Sequence, residues 1–455
     1  MAAPQYPLEP LFGRVLSPLE RFLQRATAGG IILVATTFLT LTLSTWMGNE
    51  ALHHFWEQKL SVALGSSFAL SMSLHHWVND GLMTLFFLVV GLELKREILA
   101  GELASLRDAA LPVVAAVGGM VVPALFYAAF NAGSPTADGW GIPMATDIAF
   151  AIGILVMLGS RVPRNLIIFL MALAIADDLG AVMVIALFYT QDLNQPALLA
   201  AAGLLAVLVL FNRGGIRRPL PYALLGILLW YAVLASGVHA TVAGILLAMA
   251  IPALSKHSPQ AFDGRIAELH AAFRHEDLQD SDSDSGYAPL SNHRMAEIAS
   301  AMEHSAEAAQ SPLLRIEHNL QPWVTFLVIP IFAMANAGID LSTVDASALA
   351  QPVTLGVIAG LVLGKFLGIS LFSWAAIKAG IARLPAGVSW GQLTGAAWLG
   401  GIGFTMSLFI SQLAFSDPLF AEQAKLGFLV ASALAAVIGL GWLLTVTRKP
   451  AAPLA

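Results

Sequence analysis

Long apolar stretches alternate with short polar segments along almost the whole chain. About twelve of these stretches approach the roughly 20 residues that a helix needs to cross a bilayer. They are called spans 1 to 12 below and cover residues 29–49, 78–99, 109–130, 141–159, 165–190, 197–212, 220–236, 238–253, 321–338, 352–379, 391–414 and 421–446. The pattern predicts an all-α polytopic membrane protein with about twelve transmembrane helices.

The composition excludes a water-soluble protein of this size. Charged residues make up 11% of the 455 residues and hydrophobic residues 57%, whereas soluble domains carry about 25% charged residues. The net charge of −6 gives no reason to expect a nucleic-acid partner. The absence of cysteine excludes disulfides and Cys-ligated metals, and we expect no cofactor.

The basic residues predict the orientation in the membrane. With the N-terminus placed inside, 20 of the 23 Lys and Arg residues lie in segments on that same side. Only Lys59 and Lys425 lie on the other side, and Lys365 lies inside span 10. Because cytoplasmic segments are enriched in Lys and Arg, both termini are predicted to be cytoplasmic.

The segments outside the spans divide the chain further. Residues 1–28 form a cytoplasmic segment that is either an amphipathic helix on the membrane surface or a polar leader. The membrane part comprises residues 29–253 (spans 1–8) and 321–446 (spans 9–12), and residues 447–455 form a cytoplasmic tail. The external segment 50–77 has apolar runs on both sides of a Gly-Ser turn, which fits either a hairpin that pairs with a second protomer or an ordinary loop.

Residues 254–320 form a long cytoplasmic loop with 11 acidic and 5 basic residues. Its segment Asp280–Gly286 is typical of a flexible linker. The flanking residues 264–278 and 293–309 are candidates for short helices. Six histidines lie in the loop, and we interpret them as solvated side chains rather than a metal site.

Four ionisable residues lie inside predicted spans: Asp147, Asp177, Asp178 and Lys365. Charge within a bilayer is costly, so these residues are the first functional candidates. The adjacent carboxylates Asp177 and Asp178 cannot both be ionised without compensation. They are either a pair that binds protons and a cation in competition, or a structural pair satisfied by hydroxyl and backbone groups.

Two spans contain residues that interrupt helices. Pro143 and nearby glycines weaken span 4, and the segment Gly400–Thr405 weakens span 11, although its glycines also suit close helix packing. Each is the second span of a trio, 3–5 or 10–12, which predicts inverted repeats of three helices with spans 4 and 11 broken at mid-membrane. Asp147 would then neutralise the positive N-terminal helix ends. Lys365 would either balance the negative C-terminal ends or pair with Asp177.

At these positions the sequence resembles the NhaA-type bacterial sodium/proton antiporters, over about residues 28–447. The strings that carry the resemblance are Asn79–Met83, Val90–Glu93, Lys95–Glu97, Ala145–Phe150, Ala174-Ile175, Asp177–Gly180, Ser236–Thr241 and Ile402–Ser407. The resemblance implies electrogenic exchange of Na⁺ or Li⁺ for a larger number of protons, activation at alkaline pH, and a homodimer in the inner membrane.

The resemblance also implies roles for individual residues. Asp177 and Asp178 would bind the ion and the protons, with Thr146 as a further ligand, Asp147 at the break in span 4, and Lys365 as the membrane lysine. A cytoplasmic funnel linked to pH sensing would comprise Glu93, Arg96, Glu97, Arg315, Glu317 and His318.

The chain departs from the family pattern in three places. Phe366 follows Lys365 where proline is common, Gln321 replaces a frequent histidine, and the 254–320 loop is unusually long. A sodium symporter, a passive channel and an intramembrane aspartyl protease are the alternative function classes. The protease is disfavoured because the Gly-x-Gly-Asp string of such enzymes is absent.

Overall fold

The computed structural model describes residues 28–64, 68–190, 193–256, 258–279, 292–340, 342 and 346–447. The predicted N-terminal segment, apart from its last residue, and the linker Asp280–Gly286 lie outside these residues. The α-helices that make up most of the described chain are Ala28–Met47, Asn49–Trp56, Leu74–His76, Met83–Ala100, Leu106–Asn131, Ile148–Met157, Arg164–Phe188, Gln195–Arg213, Pro219–Ala235, Val242–Ala250, Pro259–Gln279, His293–Ala309, Pro312–Trp323, Ile329–Asn336, Pro352–Ala359, Lys365–Lys378, Trp390–Leu399, Phe404–Ala414 and Pro418–Val446.

Shorter helical turns of other types complete several spans. Tight 3₁₀ turns are found at Ala137–Met144, Gly159–Arg161 and Ala346–Ala350. Wider π-helical turns are found at Trp77–Leu82, Val324–Val328 and Gly360–Gly364. The π turns lie directly before the main helices of spans 2 and 9 and before Lys365 in span 10, so these three spans are continuous but unevenly wound.

The all-α polytopic fold predicted from the sequence is confirmed. Within the described residues, seven helical segments are long and apolar enough to cross a membrane, and the bent pair Trp390–Leu399 and Phe404–Ala414 makes an eighth. The predicted spans 2, 7, 8 and 9 correspond to shorter or more polar helices, of which Val242–Ala250 has only 9 residues. Lys95 of span 2 donates hydrogen bonds to the carbonyls of Met249, at 2.7 Å, and Ile251, and so caps this short helix.

The external segment contains the hairpin that its apolar runs suggest. Strands Lys59–Leu64 and Phe68–Ser73 pair antiparallel, with Lys59 opposite Ser73 and Val62 opposite Leu70. The ordinary-loop alternative is therefore wrong. Trp77 stacks on Trp230 of span 7, and its indole donates to the carbonyl of Leu60, which fixes the hairpin to the membrane helices.

The long acidic loop forms a pair of helices, Pro259–Gln279 and His293–Ala309, at the positions predicted. Arg294 of the second helix forms a 3.0 Å ion pair with Glu276 of the first. The backbone N–H of Lys256 donates to the carbonyl of Ala308. The last turn of the second helix therefore lies next to the residues that precede the first helix. Among the described residues no group of three His, Asp or Glu side chains is placed to hold a metal ion.

Spans 3 and 10 pack closely where two glycines face each other. A Cβ atom on Gly118 would collide with the carbonyl oxygen of Gly368 and the ring of Phe372. Small residues at such crossings let helix backbones approach within a membrane. This contact matters for the site because Lys365 lies one turn from Gly368 on the same helix.

We predict that Gly118→Ala lowers the thermal unfolding midpoint of the detergent-solubilised protein by several degrees. Overpacking of this kind costs about 1–3 kcal/mol. Gly203→Ala is the matched control, because Gly203 is also inside a helix but has open space around it. Alanine favours a helix over glycine by about 1 kcal/mol, so the control should match or exceed the wild type. Equal midpoints for the two variants would contradict the packing described.

Candidate functional site

Spans 4 and 11 are both interrupted, as predicted. In span 4 the 3₁₀ turn Ala137–Met144 is followed by extended residues and then by the helix Ile148–Met157. In span 11 the helix Trp390–Leu399 ends before residues 400–403, and Phe404–Ala414 continues at an angle of 45°. Each break exposes backbone groups that must find partners at membrane depth.

The two breaks cross and supply partners to each other. The backbone N–H of Asp147 donates to the carbonyl of Ile402 at 2.6 Å. The hydroxyl of Thr146 lies 2.8 Å from the carbonyl of Gly400, to which it can donate, and that of Ser407 donates to the carbonyl of Ile142 at 2.8 Å. A carbonyl near the C-terminal end of each first half therefore lies within hydrogen-bonding distance of a hydroxyl of the opposite span.

Asp147 lies at the N-terminal ends of both second halves. Its Oδ1 accepts from the backbone N–H of Phe150 at 3.1 Å, which caps the helix that follows it in span 4. Its Oδ2 accepts from the backbone N–H of Thr405 at 3.2 Å and from the Thr405 hydroxyl at 2.6 Å. The buried carboxylate thus faces two positive helix ends, in the position predicted from the breaks.

Lys365 forms an ion pair with Asp177, which settles the choice between its two predicted positions. The side chains of both residues are completely buried. The Lys365 ammonium also donates to the Thr146 hydroxyl oxygen at 3.1 Å, and that oxygen lies 2.9 Å from Oδ2 of Asp177. Burial of two charges is tolerable only when both have such partners, so the three side chains form one unit.

Asp178 differs from its neighbour because its carboxylate has fewer partners. The residue is 2% exposed, and its Oδ1 is buried with no hydrogen-bond partner in the described part of the chain. Oδ1 of Asp177 is likewise buried and has no hydrogen-bond partner in the described part of the chain. Buried carboxylate oxygens without a partner are unfavourable, so these two oxygens require an explanation.

The residues of the predicted funnel are only partly brought together. Arg96 lies 3.7 Å from Glu93, 3.4 Å from Glu97, and forms a closer ion pair with Glu317. Burial raises the pKa of Glu317 above its ordinary value, with Arg96 opposing the shift and Glu97 adding to it.

The other two predicted funnel residues lie beside this cluster. Arg315 forms a 2.8 Å ion pair with Glu307, which belongs to the helix pair of the acidic loop. Arg315 and His318 line a cavity of about 800 Å³ together with Arg96, Glu317 and Gln321. The predicted funnel thus has two parts. One is the cluster around Arg96, and the other is a rim at Arg315, which pairs with Glu307 of the acidic loop.

Sequence reasoning assigned no role to Thr405 and Ser407, although both hold the crossing together. The available signal was the run of hydroxyl residues directly after the glycines of span 11, since such residues can bond to freed backbone groups.

Phe366 stands where the family commonly has a proline. The helix is continuous at this position, from the π turn Gly360–Gly364 into Lys365–Lys378, so span 10 is not interrupted beside Lys365.

Comparisons with known proteins agree with this geometry. The family model described as Na⁺/H⁺ antiporter 1 matches residues 20–443. The Na⁺/H⁺ antiporter NhaA of Syntrophobacter fumaroxidans is 59% identical over 440 residues, which cover 96% of this chain and 92% of that protein. The Na⁺/H⁺ antiporter NhaA of Acidithiobacillus ferrooxidans is 60% identical over 436 residues, covering 96% of this chain and 99% of that protein. The chain therefore belongs to the Na⁺/H⁺ antiporter 1 family and is a membrane transporter rather than an enzyme.

Proposed function

We propose that this protein exchanges Na⁺, or Li⁺, for protons across the bacterial inner membrane. The observation that carries the proposal is the pair of unpaired, buried carboxylate oxygens on the adjacent residues Asp177 and Asp178. The family and the names of its relatives supply the ions. A sodium symporter, the nearest alternative, would need groups that recognise a second solute, and the groups described at the crossing, which are carboxylate, hydroxyl and carbonyl oxygens and the Lys365 ammonium, already pair with one another or face the proposed ion.

Sodium would compete with protons and with the Lys365 ammonium for the carboxylates. Na⁺ is a hard cation that prefers oxygen ligands, here the two carboxylates and the Thr146 hydroxyl. The Lys365 ammonium already occupies one carboxylate, so Na⁺ must displace it from Asp177 as well as compete with protons. When Na⁺ leaves, protons return to the two carboxylates, and the proton-loaded site can reorient.

This sequence of events makes the exchange electrogenic. Two carboxyl groups take up two protons where one Na⁺ leaves, so each cycle moves one net positive charge inward. The membrane potential then helps to drive Na⁺ out. Reorientation would rock spans 3–5 and 10–12 against the rest of the protein, with the crossed breaks at the centre.

The proposed assembly is a homodimer with both termini in the cytoplasm. The hairpin of the external segment presents exposed apolar residues, including Leu60 at 49% and Val62 at 45% exposure. A second hairpin would pair with a free edge of this two-stranded sheet through backbone hydrogen bonds, and the apolar side chains of the two hairpins would then lie side by side. Lipid would cover the remaining apolar surface of the spans.

We predict that Asp177→Asn and Asp178→Asn each abolish Na⁺-induced proton release from everted membrane vesicles. Each change removes a charge that the cation requires and a group that the proton requires. Asp108→Asn, an exposed aspartate at the start of span 3, is the control and should exchange normally. Undiminished exchange by Asp177→Asn would contradict the competition model, and Na⁺ flux that ignores the pH gradient would favour a channel.

Asp147 is proposed to stabilise the crossing rather than to carry the ion. We predict that Asp147→Ala lowers the thermal midpoint by more than Asp147→Asn, because asparagine keeps a side-chain oxygen for capping. Loss of one helix cap costs about 1 kcal/mol, and Asp147 caps two helices. Equal midpoints for the two variants would contradict the capping role.

Regulation by pH is proposed for the buried cluster around Arg96. Because burial raises the pKa of Glu317, its carboxylate ionises at a higher pH than an exposed glutamate. The ion pair with Arg96 therefore forms as the pH rises through that pKa and is lost as the pH falls. Glu93, Glu97 and His318 are the other titratable groups at this position, and Arg315 with Glu307 form the rim.

We predict that Glu317→Gln shifts the pH midpoint of exchange upward by about one unit, because glutamine mimics the protonated form. The pH profile of exchange in everted vesicles measures this shift. Glu268→Gln is the control, since Glu268 is exposed and pairs with Arg265 on the same helix. An unchanged or lowered midpoint for Glu317→Gln would contradict the proposal.

A further inference from the structure

The ring of Phe366 stacks on the ring of Trp398. The two ring centroids are 4.0 Å apart and the planes differ by 13°. Phe366 directly follows Lys365 in span 10, and Trp398 lies in the first half of span 11, two residues before Gly400. The exchange mechanism proposed above uses neither ring.

The stack closes a circuit of contacts around the membrane lysine. Lys365 donates to the Thr146 hydroxyl oxygen at 3.1 Å, and that hydroxyl lies 2.8 Å from the carbonyl of Gly400. Gly400 is two residues after Trp398 in the same chain segment. Trp398 in turn contacts Phe366, the residue that follows Lys365. The ammonium and the break in span 11 are therefore joined both through hydrogen bonds and through the rings.

The surroundings of Trp398 show that its ring face, not its N–H group, determines its placement. The indole Nε1 is buried and has no hydrogen-bond partner among the described residues. Leaving an indole N–H unpaired is unfavourable, and tryptophans in membrane proteins ordinarily place this group where it finds a partner. The contact with Phe366 offsets that cost at this position.

We propose that Phe366 and Trp398 are a positioning pair that holds Lys365 against Asp177 and thereby sets how strongly the lysine competes with Na⁺. This inference rests on the proposed function, in which Na⁺ must displace the ammonium from Asp177. A looser Lys365 is a weaker competitor, so removal of one ring lowers the apparent KM for Na⁺. The pair touches neither the ion nor the proton, so the maximal rate changes little.

The test measures apparent KM for Na⁺ and the maximal exchange rate in everted vesicles for matched variants. Phe366→Leu and Trp398→Leu remove a ring and are expected to lower KM about threefold, within the range typical of an aromatic pair. Phe366→Tyr and Trp398→Phe keep a ring and should retain the wild-type KM. The double leucine variant should change KM no more than either single variant, since both remove the same contact.

Several outcomes would overturn the inference. A wild-type KM for Phe366→Leu would do so, as would an equal change for Phe366→Tyr and Phe366→Leu, or a fall in maximal rate without a change in KM. If Phe366→Leu does not reach the membrane, Phe366→Met fills much of the ring's volume, and the same fall in KM is expected. Asp177→Asn measured in parallel separates the two proposals: if it is inactive while Phe366→Leu is unchanged, only the positioning pair fails.

Discussion

Charges and broken helix ends inside a membrane need partners within the protein, because the lipid offers none. The centre of this structure meets that requirement with few groups. Asp147 faces two positive helix ends, Thr146 and Ser407 lie within hydrogen-bonding distance of carbonyls of the opposite span, and Lys365 pairs with Asp177. These contacts leave one oxygen of each adjacent aspartate without a partner among the described residues, and the proposed ion site is built on these two oxygens.

The surrounding helices can be understood as support for this centre. Span 10 approaches span 3 closely, which the facing glycines Gly118 and Gly368 permit, and Lys365 of the same helix reaches Asp177 of span 5. The Phe366–Trp398 stack connects the same helix to span 11. Glu307, in the helix pair of the acidic loop, forms an ion pair with Arg315, so this helix pair is in direct contact with the proposed pH-sensing region.

Much of this arrangement could be predicted from the sequence because membrane burial leaves a clear signal. Pro143 and the glycines at 400–403 marked both breaks, and the four buried ionisable residues stood out against an apolar background. The partner of Lys365 could not be predicted, because both candidate positions were compatible with its place in span 10 and only the distance in three dimensions separates them. The same limit explains Thr405, whose partner Asp147 lies 258 residues away in sequence. Span 8 was overestimated in length because hydropathy alone does not register the loop around Gly237. Spans 2 and 9 instead continue through π turns, and span 7 has about its predicted length.

The most direct test of the account is the pH dependence of Na⁺ binding to the purified protein, measured by calorimetry. If Na⁺ and protons compete for Asp177 and Asp178, each bound Na⁺ releases protons, and the apparent Kd falls about tenfold per pH unit for each proton released. The account predicts this fall over the acidic part of the titration, together with proton release that varies with the ionisation enthalpy of the buffer. A Kd that does not change with pH would contradict it.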